Sequence, residues 1–91
     1  MSTPMRRSLR MANKNDVLWQ LGRRIAFLRK EKKLSQVDLA ADADVAKSYL
    51  CELERGKRNP SVLVLSRIAI ALDTTLEELF KGIVSIKTLL Q

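Results

Sequence analysis

Histidine is absent from all 91 residues, and cysteine occurs once, as Cys51. The first absence removes the commonest general base and, with only one thiol beside it, the usual zinc-ligand sets. The second leaves no partner for an intramolecular disulfide. No glycine-rich phosphate loop is built from the three glycines, and no nucleophile stands paired with a base. These gaps argue against an enzyme and against a metal or other cofactor, and no small-molecule ligand is evident. No run nears the roughly 18 to 20 apolar residues of a membrane span, and the N-terminus lacks the apolar stretch of a signal peptide. A cytoplasmic protein without a membrane partner is expected. Strict two-residue alternation over a strand's length and internal repeats are missing too, which leaves an all-α fold.

What is present is positive charge. Seventeen Lys and Arg against ten Asp and Glu leave +7 on a chain long enough for one compact domain. A field of that sign draws in polyanions, nucleic acid foremost. The charge is unevenly placed: residues 1–15, MSTPMRRSLRMANKN, carry Arg6, Arg7, Arg10 and Lys14 with no acid and little periodicity. They read as a flexible basic arm, either a free tail or one able to reach a minor groove.

From Asp16 an apolar rhythm sets in. Leu18, Leu21, Ile25 and Leu28 lay one stripe along a helix over 17–32. Ser35 and Asp38 form a capping-box-like pair opening a second helix, whose apolar set is Val37, Leu39, Ala40 and Ala41. The stretch Asp42-Ala43-Asp44 interrupts it. The rhythm resumes with Val45, Ala46, Leu50 and Leu53, so a third short helix spans about 46–55, and Gly56 supplies the left-handed residue that ends it. Pro60 suits the start of a fourth helix with Leu65, Ile68, Ala69 and Leu72 buried. Thr75 and Glu78 form a second box, opening a fifth helix whose Leu76, Leu79 and Phe80 close the core. The units are an arm over 1–15, a domain over 16–81 and an apolar C-terminal extension over 82–91.

Two short helices joined by a tight turn match the geometry in which the second helix enters a DNA major groove, but periodicity alone fits any small helical bundle as well. Beyond that geometry, Leu21-Gly22, Ile25, Leu28-Arg29, Leu34-Ser35-Gln36, Leu39-Ala40, Val45, Leu50, Leu53-Glu54, Gly56, Pro60-Ser61, Leu65, Ile68-Ala69 and Leu72 give a specific resemblance. The stretch over 18–80 resembles the Cro and phage-repressor type of helix-turn-helix domain, the xenobiotic-response-element family. The resemblance implies a compact five-helix, lambda-repressor-like fold. It also implies that Gln36 touches the phosphate backbone, that Lys47, Ser48, Tyr49 and Glu52 face the groove, and that Arg29 and Glu54 form an ion pair between the first and third helices. From the residues themselves, a third helix with Ala46, Leu50 and Leu53 inward presents Ser48, Glu52 and Arg55 outward, with Lys47 and Cys51 on the flanks. Lys47 can reach guanine O6 and N7, and Glu52 can accept from cytosine N4. Phosphate contacts are assigned to Gln36, Cys51, Arg55, Lys57, Arg58 and Asn59.

Two departures from the family pattern stand in the turn. Asp44 occupies a position usually held by glycine, and Ala46 replaces a capping Ser or Thr, forgoing about 1 kcal/mol. Apolar residues beyond the core stripes, Leu63, Ile70, Ile83, Ile86, Leu89 and Leu90, suggest a homodimer interface. The expected function is that of a dimeric, sequence-specific regulator binding a palindromic double-stranded DNA operator at the nucleoid, similar in size to restriction-modification controller proteins. The alternative is an antitoxin-type interaction module that neutralises a toxin and binds its own promoter. Trp19 and Phe27 lie off the main stripe and have no assigned role.

Overall fold

Five helices follow one another in the computed structural model, which describes residues 2–84, with side chains from Val17 onward: α1 (Ser2–Glu31), α2 (Gln36–Ala43), α3 (Lys47–Glu54), α4 (Val62–Ala71) and α5 (Leu76–Leu79). No strand occurs among the described residues. The helix expected over 17–32 starts much earlier, at Ser2, so the backbone shows no break between the basic arm and the domain. Pro4 sits in the first turn, where its missing N–H costs nothing, and the Arg, Leu, Met, Ala and Lys that follow are strong helix formers. Composition changes there, but the backbone stays helical.

Hydroxyl caps open three helices. Ser35 Oγ accepts from Asp38 N–H at 3.0 Å, Ser61 Oγ from Val64 N–H at 3.1 Å and Thr75 Oγ1 from Glu78 N–H at 3.1 Å. The fourth helix is thus capped by Ser61, and Pro60 lies just outside it. α3 is preceded by Ala46, which gives no side-chain cap, as the sequence predicts.

The helix ends share one solution. After α1, α2, α3 and α4 a left-handed residue follows, Lys33, Asp44, Gly56 and Asp73, and only one of the four is glycine. Each end carries the paired bonds of a Schellman motif. For α2, Asp44 N–H reaches Ala41 O at 3.2 Å and Val45 N–H reaches Ala40 O at 3.0 Å; for α3, Gly56 N–H reaches Leu53 O at 3.0 Å and Lys57 N–H reaches Glu52 O at 2.9 Å. The turn of the helix pair therefore depends on an aspartate holding φ 56°.

Ile25, Leu39, Leu50, Leu53, Ile68, Leu72 and Leu79 are almost wholly shielded, drawn from all four longer helical segments and the single turn of α5. Each such burial contributes about 1.5–3 kcal/mol. α1 packs on α3 and α5, while α2 packs on α3 and α4. Val37 and Ala41 are exposed, because the buried stripe of the eight-residue α2 is Leu39, Ala40 and Ala43. Ala46 is also exposed, lying outside α3 as its cap. Phe80 is partly exposed where the chain leaves α5, so Leu79, helped by a half-buried Leu76, closes the core.

α1 and α3 touch closely enough to require glycine. A Cβ on Gly22 would collide with Leu53 O and lie 2.7 Å from Glu54 O; one on Gly56 would lie 2.8 Å from Trp19 Cα. Residues 83–84, after α5, also belong to the folded body. Ile83 packs against the core, and the side-chain amide of Gln20 donates to Val84 O at 2.8 Å and accepts from Val84 N–H at 3.1 Å.

Candidate nucleic-acid interface

α3 buries Leu50, Leu53 and Glu54 and turns Lys47 and Ser48 fully outward, with Cys51 and Glu52 half-buried at the edges and Arg55 exposed at its end. Lys57, Arg58 and Asn59 are exposed in the loop that follows. The helix face and the cationic loop form one continuous surface, because the Schellman turn at Gly56 folds the loop back beside the last turn of α3.

Within this surface Glu52, Arg58 and Tyr49 interact. Arg58 Nε donates to Glu52 Oε1 at 2.7 Å, and its guanidinium lies 5.4 Å from the centre of the Tyr49 ring. Tyr49 itself packs partly on the core. Of the four residues assigned to base reading, Lys47 and Ser48 thus stand free of the core, whereas Glu52 and Tyr49 are engaged by a loop arginine. The carboxylate that would otherwise repel phosphates has its counter-charge built in.

Behind the surface lies a polar anchor. Arg29 Nε and Nη2 donate to Glu54 Oε2 and Oε1 at 2.7 and 3.0 Å, and Arg29 Nη1 donates to Leu34 O at 2.9 Å. Gln36 Nε2 donates to Glu54 Oε1 at 3.0 Å. One carboxylate therefore ties α1 and the first residue of α2 to the end of α3, and no buried side-chain polar atom among the described residues lacks a partner. Bidentate geometry of this kind is strong and directional.

Two arginines give no signal in the sequence. Arg24 Nε donates to Glu78 O at 2.9 Å, its Nη2 pairs with Glu78 Oε1 at 3.2 Å, and its guanidinium lies 5.5 Å from the Phe27 ring centre. The carboxylate expected to complete the box with Thr75 thus serves α1. Arg67 Nε donates to Ala43 O at 2.9 Å and its Nη2 to Asp44 O at 3.3 Å, from α4 to the turn between α2 and α3. Both join residues more than twenty positions apart, beyond any local pattern.

Of the residues assigned to a dimer interface, Leu63 and Ile70 are 75% and 74% exposed on α4. Ile83 packs partly on its own chain's core, beside Val84, which is hydrogen-bonded to Gln20, a contact that apolar spacing does not reveal. Ile86, Leu89 and Leu90 lie outside the described residues. Trp19 and Phe27 are exposed. Among the described residues no group of His, Cys, Asp and Glu is placed to hold a metal ion, and no helix is long and apolar enough to cross a membrane.

Two short helices joined by a left-handed turn, the second presenting an outward polar face beside a cationic loop, define a helix-turn-helix protein. The profile of the family described as Helix-turn-helix matches residues 25–79. The chain is 43% identical over 70 residues to the control protein C.MunI of Mycoplasma sp, a match spanning 76% of this chain and 95% of that one. It is 48% identical over 52 residues to the immunity repressor protein of Bacillus phage phi105, spanning 57% of this chain and 36% of the repressor. Among solved structures, the restriction-modification controller protein C.AhdI from Aeromonas hydrophila superposes with a TM-score of 0.68 at 41% identity, over 69% of this chain and 96% of that one. The chain belongs to the helix-turn-helix family, of the Cro and phage-repressor type. These relatives are named as a control protein, a repressor and a controller protein, not as enzymes.

Proposed function

We propose that this protein is a transcriptional regulator that binds double-stranded DNA sequence-specifically, acting as a homodimer on a palindromic operator in the cytoplasm, at the nucleoid. The observation that carries the reading is the outward face of α3, with Lys47 and Ser48 exposed, beside the exposed cations of the 57–59 loop. Lys47 and Ser48 read base edges in the major groove, joined by Tyr49 and Glu52 at the face's edge. Glu52 reaches a cytosine amino group with the oxygen not held by Arg58, or after Arg58 swings to a phosphate.

Lys57, Arg58, Asn59 and Arg55 hold phosphates on one side of the groove and Cys51 lies along it. Gln36 has a second amide N–H beyond the one given to Glu54, and this grips the phosphate at the start of α2. These contacts set the register in which the bases are read. The exposed Leu63 and Ile70 of α4 support pairing of two copies, with Ile86, Leu89 and Leu90 added from the tail. Two-fold pairing sets the recognition helices about 34 Å apart, one turn of DNA. The relatives' names support a regulator over an antitoxin.

Selection of bound fragments from a random duplex library tests the whole reading at once. The expected outcome is an inverted repeat with half-sites about one helical turn apart. Recovery of unrelated fragments with no shared sequence would refute sequence-specific binding, and a single unrepeated half-site would refute the dimer.

A further inference from the structure

The turn between α2 and α3 decides where the recognition helix points, yet the turn's own residues hold it weakly. Asp44 keeps a left-handed backbone, φ 56° and ψ 50°, which a residue with a Cβ adopts at a cost. Ala46 caps α3 with no side-chain bond. The Schellman bonds from Asp44 and Val45 occupy the carbonyls of Ala41 and Ala40. The carbonyls of Ala43 and Asp44 lie two and three residues beyond Ala41, at the negative end of the α2 dipole. The guanidinium of Arg67 reaches both, at 2.9 and 3.3 Å, from the middle of α4.

We propose that Arg67 is a positioning residue for DNA recognition: it clamps the 43–44 carbonyls to α4 and thereby fixes the angle at which α3 presents Lys47 and Ser48. The inference rests on the proposed DNA-reading function of α3. A planar guanidinium suits the task because two of its N–H groups diverge at a fixed angle, so binding two successive carbonyls fixes the orientation of the turn as well as its position. Its positive charge also complements the helix end, where a neutral donor would supply hydrogen bonds alone. Arg67 shares an α4 stripe with the exposed Leu63 and Ile70, four residues before and three after it. The brace therefore lies beside the proposed pairing surface, and its test must separate the two.

The test compares the full-length protein with Arg67→Ala and Arg67→Lys, using the duplex selected by the wild type and a scrambled duplex at several salt concentrations. If the wild type itself prefers no duplex, the proposed function fails and the brace has nothing to position. Given a preferred duplex, Arg67→Ala should bind it about tenfold more weakly, the scale of one misread base pair, with affinity for the scrambled duplex and the salt slope unchanged. Arg67→Lys, which keeps the charge but carries its donors on one nitrogen without the planar fork, should recover part of the loss. Sedimentation should give the same oligomeric state for all three. Amide hydrogen exchange in the free protein supplies a readout independent of DNA: the amides of Asp44 and Val45 should exchange faster in Arg67→Ala, and those of Leu50 and Ile68 should not. Should Arg67→Ala not fold, Arg67→Lys carries the same comparison with a smaller expected loss. Equal losses on both duplexes with a shallower salt slope would make Arg67 a phosphate contact and overturn the proposal. Unchanged discrimination, or a change of oligomeric state that accounts for the lost affinity, would overturn it as well.

Discussion

Two ion pairs in this chain share a distance and differ in surroundings, which makes them a controlled comparison. Arg29–Glu54 and Arg58–Glu52 both close at 2.7 Å, but the paired side chains are 11% and 7% exposed in the first and 52% and 43% exposed in the second. Removing Glu54 leaves the Arg29 guanidinium in a nearly dry site and strips Gln36 of its acceptor, so Glu54→Ala should cost about 3–5 kcal/mol. Removing Glu52 leaves Arg58 in water beside Tyr49, so Glu52→Ala should cost about 0–1 kcal/mol. A chain of this size has a total stability of only about 5–13 kcal/mol. The Glu54 loss should therefore lower the melting temperature by about 12 °C or more, against about 8 °C at most for Glu52. Urea denaturation followed by circular dichroism measures both, with the m-value checking that each variant unfolds in one step. The double variant Arg29→Met/Glu54→Met should lose less than Glu54→Ala, because no charge is left stranded. Equal and small losses for Glu54→Ala and Glu52→Ala would refute the claim that burial, not distance, decides what these pairs contribute.

Backbone contact between α1 and α3 makes Gly56 the most sensitive glycine of the turns. Gly56→Ala combines a φ of 78° with a Cβ 2.8 Å from Trp19 Cα, and should cost about 2–5 kcal/mol in chemical denaturation; a loss below about 0.5 kcal/mol would show that α1 yields freely there. Lys47→Ala should lose about 1–3 kcal/mol of discrimination at one base pair of the selected site, measured by competition between single-base variants of the duplex. Discrimination that survives unchanged means Lys47 reads no base. Leu63→Asp/Ile70→Asp alters only exposed positions and should leave the melting temperature near that of the wild type while sedimentation reports a monomer; a persistent dimer would move the interface away from α4.

Much of the architecture is legible in one dimension because it is local. The stripe of Leu21 and Ile25, the hydroxyls of Ser35 and Thr75, and Gly56 act within a turn or two of their own helices, so spacing exposes them. Local rules mislead where a neighbour decides. Val37 looks like a core residue until α2 proves to be eight residues long with its buried side through Leu39 and Ala43. Ile83 looks spare until Val84 beside it proves to be bonded to Gln20. The helical backbone of 2–15 shows the opposite error, since absent periodicity rules out a buried face and not a helix.

By itself, the sequence determined the all-helical class, the order of the helices, the polar face of α3 and the cationic loop beside it, because helix periodicity, capping chemistry and charge are properties of near neighbours. Beyond the Arg29–Glu54 pair that the family resemblance implies, only the tertiary structure decided how that face is held. Glu54 becomes an anchor only when α1, α2 and α3 converge on it, Arg58 lies over Tyr49 and Glu52 only once the loop folds back, and Arg67 reaches the turn only because α4 packs against α2. Each of these contacts needs groups from separate segments brought into hydrogen-bonding or ring-contact range by a core assembled from the whole chain, and no spacing rule along the chain encodes that approach.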